Sequence, residues 1–219
     1  MERIRFFQEQ EDTPEQKYSR FMLLHIIPDT FLDSSYNKNL FILQRTNRIF
    51  ISDLFQGVNC NDGPIPAVDG LRFTSYRLNE ESRLFDNGIA EAFVPLNYAI
   101  TSQRGFPEGY FASIYIWDKI KTVIEKYRQR MRYIFDTKRL FVCVTIIGCK
   151  GVVTEDEFSS DYKGMIDRNL MLCDPVIIDD YYNDEMSQKD MKKLQLNYLL
   201  ALGIQYQKTI QDLIAEILS

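Results

Sequence analysis

The chain has 219 residues, 45% of them hydrophobic and 13% aromatic, with a formal net charge of −5. That composition supports a buried core and excludes a disordered chain. The acidic balance disfavours nucleic acid as a default partner unless a local basic patch overrides it, and no apolar run reaches the roughly 18 residues of a spanning helix.

The opening stretch, MERIRFFQEQEDTPEQ, mixes both charges and lacks the apolar centre of a secretory signal. Residues 1–17 therefore read as a flexible lead-in, and the expected location is cytoplasmic, with no membrane partner. FMLLHIIP (21–28) is a continuous apolar run closed by proline, which predicts a strand buried on both faces. Residues 29–47 are polar and turn-rich around a short apolar piece, Leu40 to Leu43. NCNDGPIPAVDG (59–70) reads as loop and LRFTSYRL (71–78) as the next strand.

SRLFDNGIAEAFVP (82–95) holds an Asp-Asn-Gly step between two apolar segments. A two-residue Asn87-Gly88 turn would set Leu84 against Glu91. A three-residue loop, Asp86-Asn87-Gly88, sets Phe85 against Ile89 and Arg83 against Glu91 instead. The second register pairs apolar with apolar and cation with anion, and it puts glycine at the left-handed position of a type I turn with a G1 bulge. It predicts a hairpin in which turn geometry alone explains Gly88.

RGFPEGYF (104–111) reads as a loop leading into the clearest helix of the chain. From Ser113, Ile114, Trp117, Ile120, Ile124, Tyr127, Met131 and Ile134 recur at three- and four-residue steps, one apolar stripe along about six turns. RLFVCVTIIGCKG (139–151) is a second buried strand ending in a glycine turn, and MIDRNLMLCDPVIIDDYYND (165–184) a strand broken at Asp174-Pro175. SQKDMKKLQLNYLLALG and YQKTIQDLIAEILS are helical, with Gly203 as the stop between them. The expected fold is a single α+β domain over 1–219. It has a central, mostly buried sheet with a β-hairpin, one long amphipathic helix packed on it, and a helical C-terminal part over 187–219.

Chemistry is harder to find. Cys60, Cys143, Cys149 and Cys173 form no CxxC pair, so they read as buried free thiols and not as zinc ligands. The one histidine, His25, sits in an apolar run and reads as a satisfied strand histidine. Neither GxGxxG nor GxxxxGK[ST] occurs, GCKG (148–151) is too short for a phosphate cradle, and no cofactor is implied. Asp174, Asp179, Asp180, Asp184 and Glu185 could hold Mg²⁺ for a phosphoesterase but read better as a solvated acidic loop. From Asp118 to Arg139 there are eight basic residues against three acidic ones. Lys121, Arg128, Arg130, Arg132 and Arg139 are the candidates for nucleic-acid binding, against the plainer reading of a solvated helix back. A ligand surface is expected near the Asp-Asn-Gly hairpin and the GCKG turn, where Arg83, Glu91, Lys150 and Arg168 are the polar groups. No catalytic or metal-binding residue is expected.

FMLLHIIP, DGLRFTSY, RLFDNGIAEAF, the long helix with FVCVTIIGCKG after it, and IDRNLMLCDPVIIDD together carry a resemblance through their order and spacing. Over residues 18 to 205 the chain resembles the C-terminal region of bacterial proteins that carry an N-terminal Schlafen AlbA-type domain, described as ATP-binding or DNA-binding. The resemblance assigns nucleotide or nucleic-acid chemistry to that N-terminal domain and no catalytic residue to this region. It implies a sensing, regulatory or assembly role beside an AlbA-type domain, in cis or in trans, in defence against phage or mobile DNA. GIQYQKTIQDLIAEILS departs from the group by continuing as a helix, which suits packing or homo-oligomer formation. The leading expectation is a non-enzymatic ligand-sensing or interaction domain. Direct nucleic-acid binding through the basic helix is the alternative.

Overall fold

The structure is a computed structural model that describes residues 20–33, 38–45, 53–55, 64–75, 80–96, 100–103, 106–111, 113–132, 134–135, 137–156, 159–179, 184–204 and 208–218. Strands β1 (Phe21–Pro28), β2 (Ile65–Ala67), β3 (Gly70–Ser75), β4 (Glu80–Phe85), β5 (Ala90–Pro95), β8 (Leu140–Ile147), β11 (Leu170–Leu172) and β12 (Val176–Ile178) form one antiparallel sheet. Its order is β11-β8-β1-β5-β4-β3-β2, with β12 also paired to β8. A second sheet runs β10 (Ser159–Met165), β9 (Val153–Asp156), β7 (Phe106–Phe111), β6 (Ile100–Gln103), with β7 and β9 parallel. The helices are α1 (Leu40–Arg45), α2 (Ser113–Met131), α3 (Asp184–Ala201) and α4 (Lys208–Leu218).

β1 lies between β5 and β8, so neither of its edges is open. Alternation then divides its side chains between the two faces. Met22, Leu24 and Ile26 join the large core with Val142, Val144 and Ile146 of β8 and with Ile116, Ile120, Ile124, Tyr127 and Met131 of α2. Phe21 and Leu23 face the other way and pack with Phe93 and Ile147 in a smaller cluster. The expected strand buried on both faces is therefore present, inside an α+β fold with its long helix on the sheet.

The hairpin has the three-residue register. Arg83 opposes Glu91, the Phe85 N–H donates to the Ile89 carbonyl at 2.8 Å, and Gly88 has φ +88°. The broken strand is also present: β11 covers Ile147 to Thr145 of β8, β12 covers Val142 to Leu140, and Cys173–Pro175 lies between them. Helix α3 stops as expected. The Gly203 N–H donates to the Leu200 carbonyl and the Ile204 N–H to the Leu199 carbonyl, with Gly203 at φ +77°. These are the two bonds of a Schellman cap.

Four local expectations need correction. Residues 106–111 form strand β7 and not a loop; Pro107 is tolerated because β9 pairs only with Tyr110 and Phe111 and the β6 register shifts opposite it. The loop over 59–70 contains the short strand β2. Helix α2 ends at Met131, short of Ile134, where the N–H groups of Ile134 and Phe135 both turn back to the Met131 carbonyl. Leu40 to Leu43 belong to helix α1, whose first turn is capped by Asn39 Oδ1 accepting from the Ile42 N–H at 3.0 Å. The lead-in over 1–17 lies outside the described residues.

Candidate functional site

The pairing registers place one residue from each of five adjacent strands in a single row on the face away from the large core. Cys143 of β8 opposes His25 of β1, His25 opposes Glu91 of β5, Glu91 opposes Arg83 of β4, and Arg83 opposes Arg72 of β3. Directly opposed residues in an antiparallel pair share a face and lie within contact range of each other. The result is a thiol, an imidazole, a carboxylate and two guanidinium groups in line across a sheet otherwise rich in apolar side chains.

The centre of the row is a hydrogen bond. His25 Nε2 lies 3.0 Å from Glu91 Oε2, and the side chains are 29% and 7% exposed, respectively. A carboxylate this deeply buried requires a polar partner, and the imidazole supplies it. With Nε2–H donating to Glu91, the other ring nitrogen, Nδ1, is the acceptor of a neutral imidazole. His25 is therefore satisfied, as the sequence suggests, and it still reaches solvent.

The face is closed at one end and open at the other. Phe21, Leu23, Phe93 and Ile147 are buried. Toward the chain's break at 173–175, Ile27, Phe141 and Cys143 are only half-buried. Leu172 and Ile177, which flank that break and oppose Thr145 and Phe141, are 66% and 46% exposed. Burial pushes the Cys143 thiol above its ordinary range.

The hairpin tip is occupied by the protein itself. The Lys38 N–H donates to the Asp86 carbonyl at 2.8 Å, the Leu40 N–H to Asp86 Oδ1 at 3.2 Å, and the Tyr127 hydroxyl to the Gly88 carbonyl at 2.7 Å. A Cβ on Gly88 would sit 3.0 Å from Pro28 Cγ and 3.3 Å from the Phe135 ring. The tip is thus closed by the protein's own groups, and Arg83 and Glu91 lie on the stem of the hairpin.

The four polar groups expected at one surface divide into two places. Arg83 and Glu91 belong to the row. Lys150 is exposed in the turn after β8, and Arg168 lies across from it, its guanidinium on Asp167 at 2.8 Å and 3.2 Å. The Gly148 N–H donates to the Asn169 carbonyl and the Gly151 N–H to the Ile166 carbonyl, which brings the two segments together. Arg168 holds the Asp167 carboxyl below its usual range, with Lys150 adding to the effect.

The basic residues of α2 do not form one surface. Arg130 grips Asp53 through both carboxylate oxygens, at 3.0 Å and 2.7 Å, and Lys126 reaches the same carboxylate at 2.8 Å. Arg130, with Lys126 assisting, holds Asp53 at about 2 despite its partial burial. Lys121 pairs with Glu125 at 3.9 Å and Arg139 with Asp179 at 2.8 Å. Arg128 and Arg132 lie on the flank opposite Lys126 and Arg130 at helical spacing. Arg130 is thus a structural tie and not an open phosphate contact.

Cys149 and Cys173 are buried, and burial pushes both thiols up to about 12. Cys143 departs from the expected buried thiol, being only half-buried, and Cys60 lies outside the described residues. In the acidic stretch, Asp179 pairs with Arg139 and its own N–H donates to Asp190 Oδ2 at 3.1 Å. Asp180 and the side chains of Asp184 and Glu185 lie outside the described residues. Among the described residues no group of three or more His, Cys, Asp or Glu is arranged to hold a metal ion, and no helix is long and apolar enough to cross a membrane.

Sequence reasoning names Arg83 and Glu91 but does not connect them to His25, Cys143 or Arg72. Three further strand alignments are needed for that connection, β1 with β5, β1 with β8 and β3 with β4, and the first two join distant parts of the chain. The chain matches no family model, and comparison with curated proteins and with solved structures gives no match.

Proposed function

We propose that the chain is a non-enzymatic ligand-sensing or regulatory domain and that the row Arg72–Arg83–Glu91–His25–Cys143 is its recognition surface. The carrying observation is the His25–Glu91 pair, a polar centre kept within an apolar sheet and open to solvent on the imidazole side. Core stability gains little from such a pair, because removing two polar groups from water offsets most of what their contact contributes. Recognition accounts for the presence of the pair. The resemblance to the C-terminal region of proteins bearing a Schlafen AlbA-type domain supports a companion role, with an AlbA-type domain in cis or in trans as the partner and the cytoplasm as the place.

The test has two arms. Amide NMR of the full chain against a panel of small molecules should give perturbations that gather on the row and disappear in Arg83→Glu. Incubation with nucleoside triphosphates and with single-stranded DNA or RNA should give no hydrolysis. Turnover that tracks the purified chain, or perturbations that gather elsewhere, would overturn the reading.

A further inference from the structure

The open end of the row places a thiol, a proton acceptor and a fixed acid on three adjacent strands. Cys143, His25 and Glu91 oppose one another in order across β8, β1 and β5. Directly opposed residues hold their Cβ atoms roughly 4.5–5.5 Å apart, which makes Cys143 and His25 neighbours on this face. Glu91, 7% exposed, takes the Nε2 side of the ring. In the neutral ring with Nε2–H toward Glu91, the Nδ1 lone pair is the basic position. The other thiols described are sealed in the core, whereas Cys143 is half-buried at the gap between β11 and β12. Two exposed apolar side chains, Leu172 and Ile177, flank that gap on the same face.

We propose that Cys143 is a nucleophilic thiol, with His25 as its proton acceptor and Glu91 as the positioning residue, and that the site captures α,β-unsaturated carbonyl compounds with an apolar tail. In this step the Cys143 proton passes to His25 Nδ1 and the sulfur bonds to the β-carbon. The carbon–carbon double bond opens to an enolate, and His25 returns the proton to the α-carbon. No atom leaves and no oxidant or reductant is needed, so one event loads one site, as suits a sensor.

The chemistry follows from the surroundings. A thiol whose ionisation is opposed by burial remains protonated at neutral pH and reacts only if a neighbour accepts its proton. A soft electrophile suits sulfur, and Leu172 and Ile177 offer apolar surface to a tail. Among the described residues the titratable and charged groups along the row are Cys143, His25, Glu91, Arg83 and Arg72, and Asp174 lies exposed in the gap between β11 and β12. The inference rests on the reading of the row as a recognition surface and adds the ligand class.

The experiment treats the full chain with trans-2-nonenal or with acrolein and follows adducts by intact mass and peptide mapping. Cys143 should be modified first, ahead of Cys149 and Cys173. His25→Gln should slow the Cys143 adduct on the order of 100-fold, and the rate against pH should lose one of its two ionisations. Glu91→Gln keeps an oxygen that can accept from the ring and should give a smaller loss, an arm that stands if His25→Gln does not fold. Leu172→Ser should slow nonenal by roughly fivefold and leave acrolein unchanged. An unchanged rate in both His25→Gln and Glu91→Gln, or earlier modification of Cys149 or Cys173, would overturn the proposal. Overturned with NMR perturbations still gathered on the row, only the thiol chemistry falls. Overturned with those perturbations absent, the recognition reading falls with it.

Discussion

Glu91 Oε2 lies 3.0 Å from His25 Nε2, across two strands whose contact joins residues 66 positions apart in the chain. A bond of this kind should couple the two residues energetically. A double-mutant cycle with His25→Ala and Glu91→Ala, followed by denaturant unfolding, should give a coupling of about 1–2 kcal/mol. A coupling near zero would mean the two side chains do not meet in solution.

Gly88 should tolerate no side chain. Its φ of +88° and the close approach of Pro28 and Phe135 predict that Gly88→Ala destabilises by about 1–3 kcal/mol. Tyr127→Phe removes the buried hydroxyl bond to the Gly88 carbonyl and should cost roughly 1–2 kcal/mol. Thermal melts of both variants test this. An unchanged melting temperature in Gly88→Ala would refute the packing described at the hairpin tip.

Asp53 gives the chain an acid-sensitive tie. Its folded pKa is about 2 against an ordinary 3.8, so its contribution is fully present above the unfolded value and fades as pH falls toward 2. Allowing for solvent screening of a partly exposed group, the contribution is about 1 kcal/mol. Asp53→Asn should therefore be less stable than wild type at pH 6, with the gap closing as pH approaches 2. A gap that persists unchanged at the acid end would contradict the assignment.

Asp86 has the opposite sign. Burial raises its pKa, against the pull of the Leu40 N–H, and Asp69 pushes it further. A raised carboxyl contributes stability at low pH that is lost as pH rises through its folded value. Asp86→Asn keeps an acceptor for Leu40 and removes the charge, so at pH 7 it should be at least as stable as wild type. Asp86→Ala loses the cap and should fall by about 1 kcal/mol. Chemical denaturation at pH 7 separates the two, and a large loss in Asp86→Asn would show that the charge itself is needed.

Much of this fold was legible because its signals are local. The Asp-Asn-Gly register depends on fourteen consecutive residues, Gly203 stops α3 through its own φ, and Pro175 interrupts the edge strand beside β8. Strand β7 was missed because Pro107 and Gly109 look like breakers in isolation. Pairing overrides them: β7 lies between β6 and β9, its register with β6 shifts opposite Pro107, and β9, more than forty residues later, takes only Tyr110 and Phe111. The row was half legible for the same reason. Arg83 and Glu91 share a hairpin and Arg72 joins them from the adjacent strand β3, whereas His25 and Cys143 join through long-range registers that no short window contains.

The central place of β1 has a consequence for how the chain is made. Its two neighbours arrive late: Ile26 waits for Ala90, and Pro28 waits for Leu140. During synthesis the FMLLHIIP segment therefore leaves the ribosome long before either flank exists. Six of its eight residues end up buried, so the emerging chain carries a sticky, strand-forming stretch with no native mate. Loop-closure entropy makes such distant pairings slow to form. The β4–β5 hairpin, complete within itself, is the natural template onto which β1 docks, and β8 then closes over it. Until β8 is released, holdase chaperones have a ready target in the first strand of the sheet.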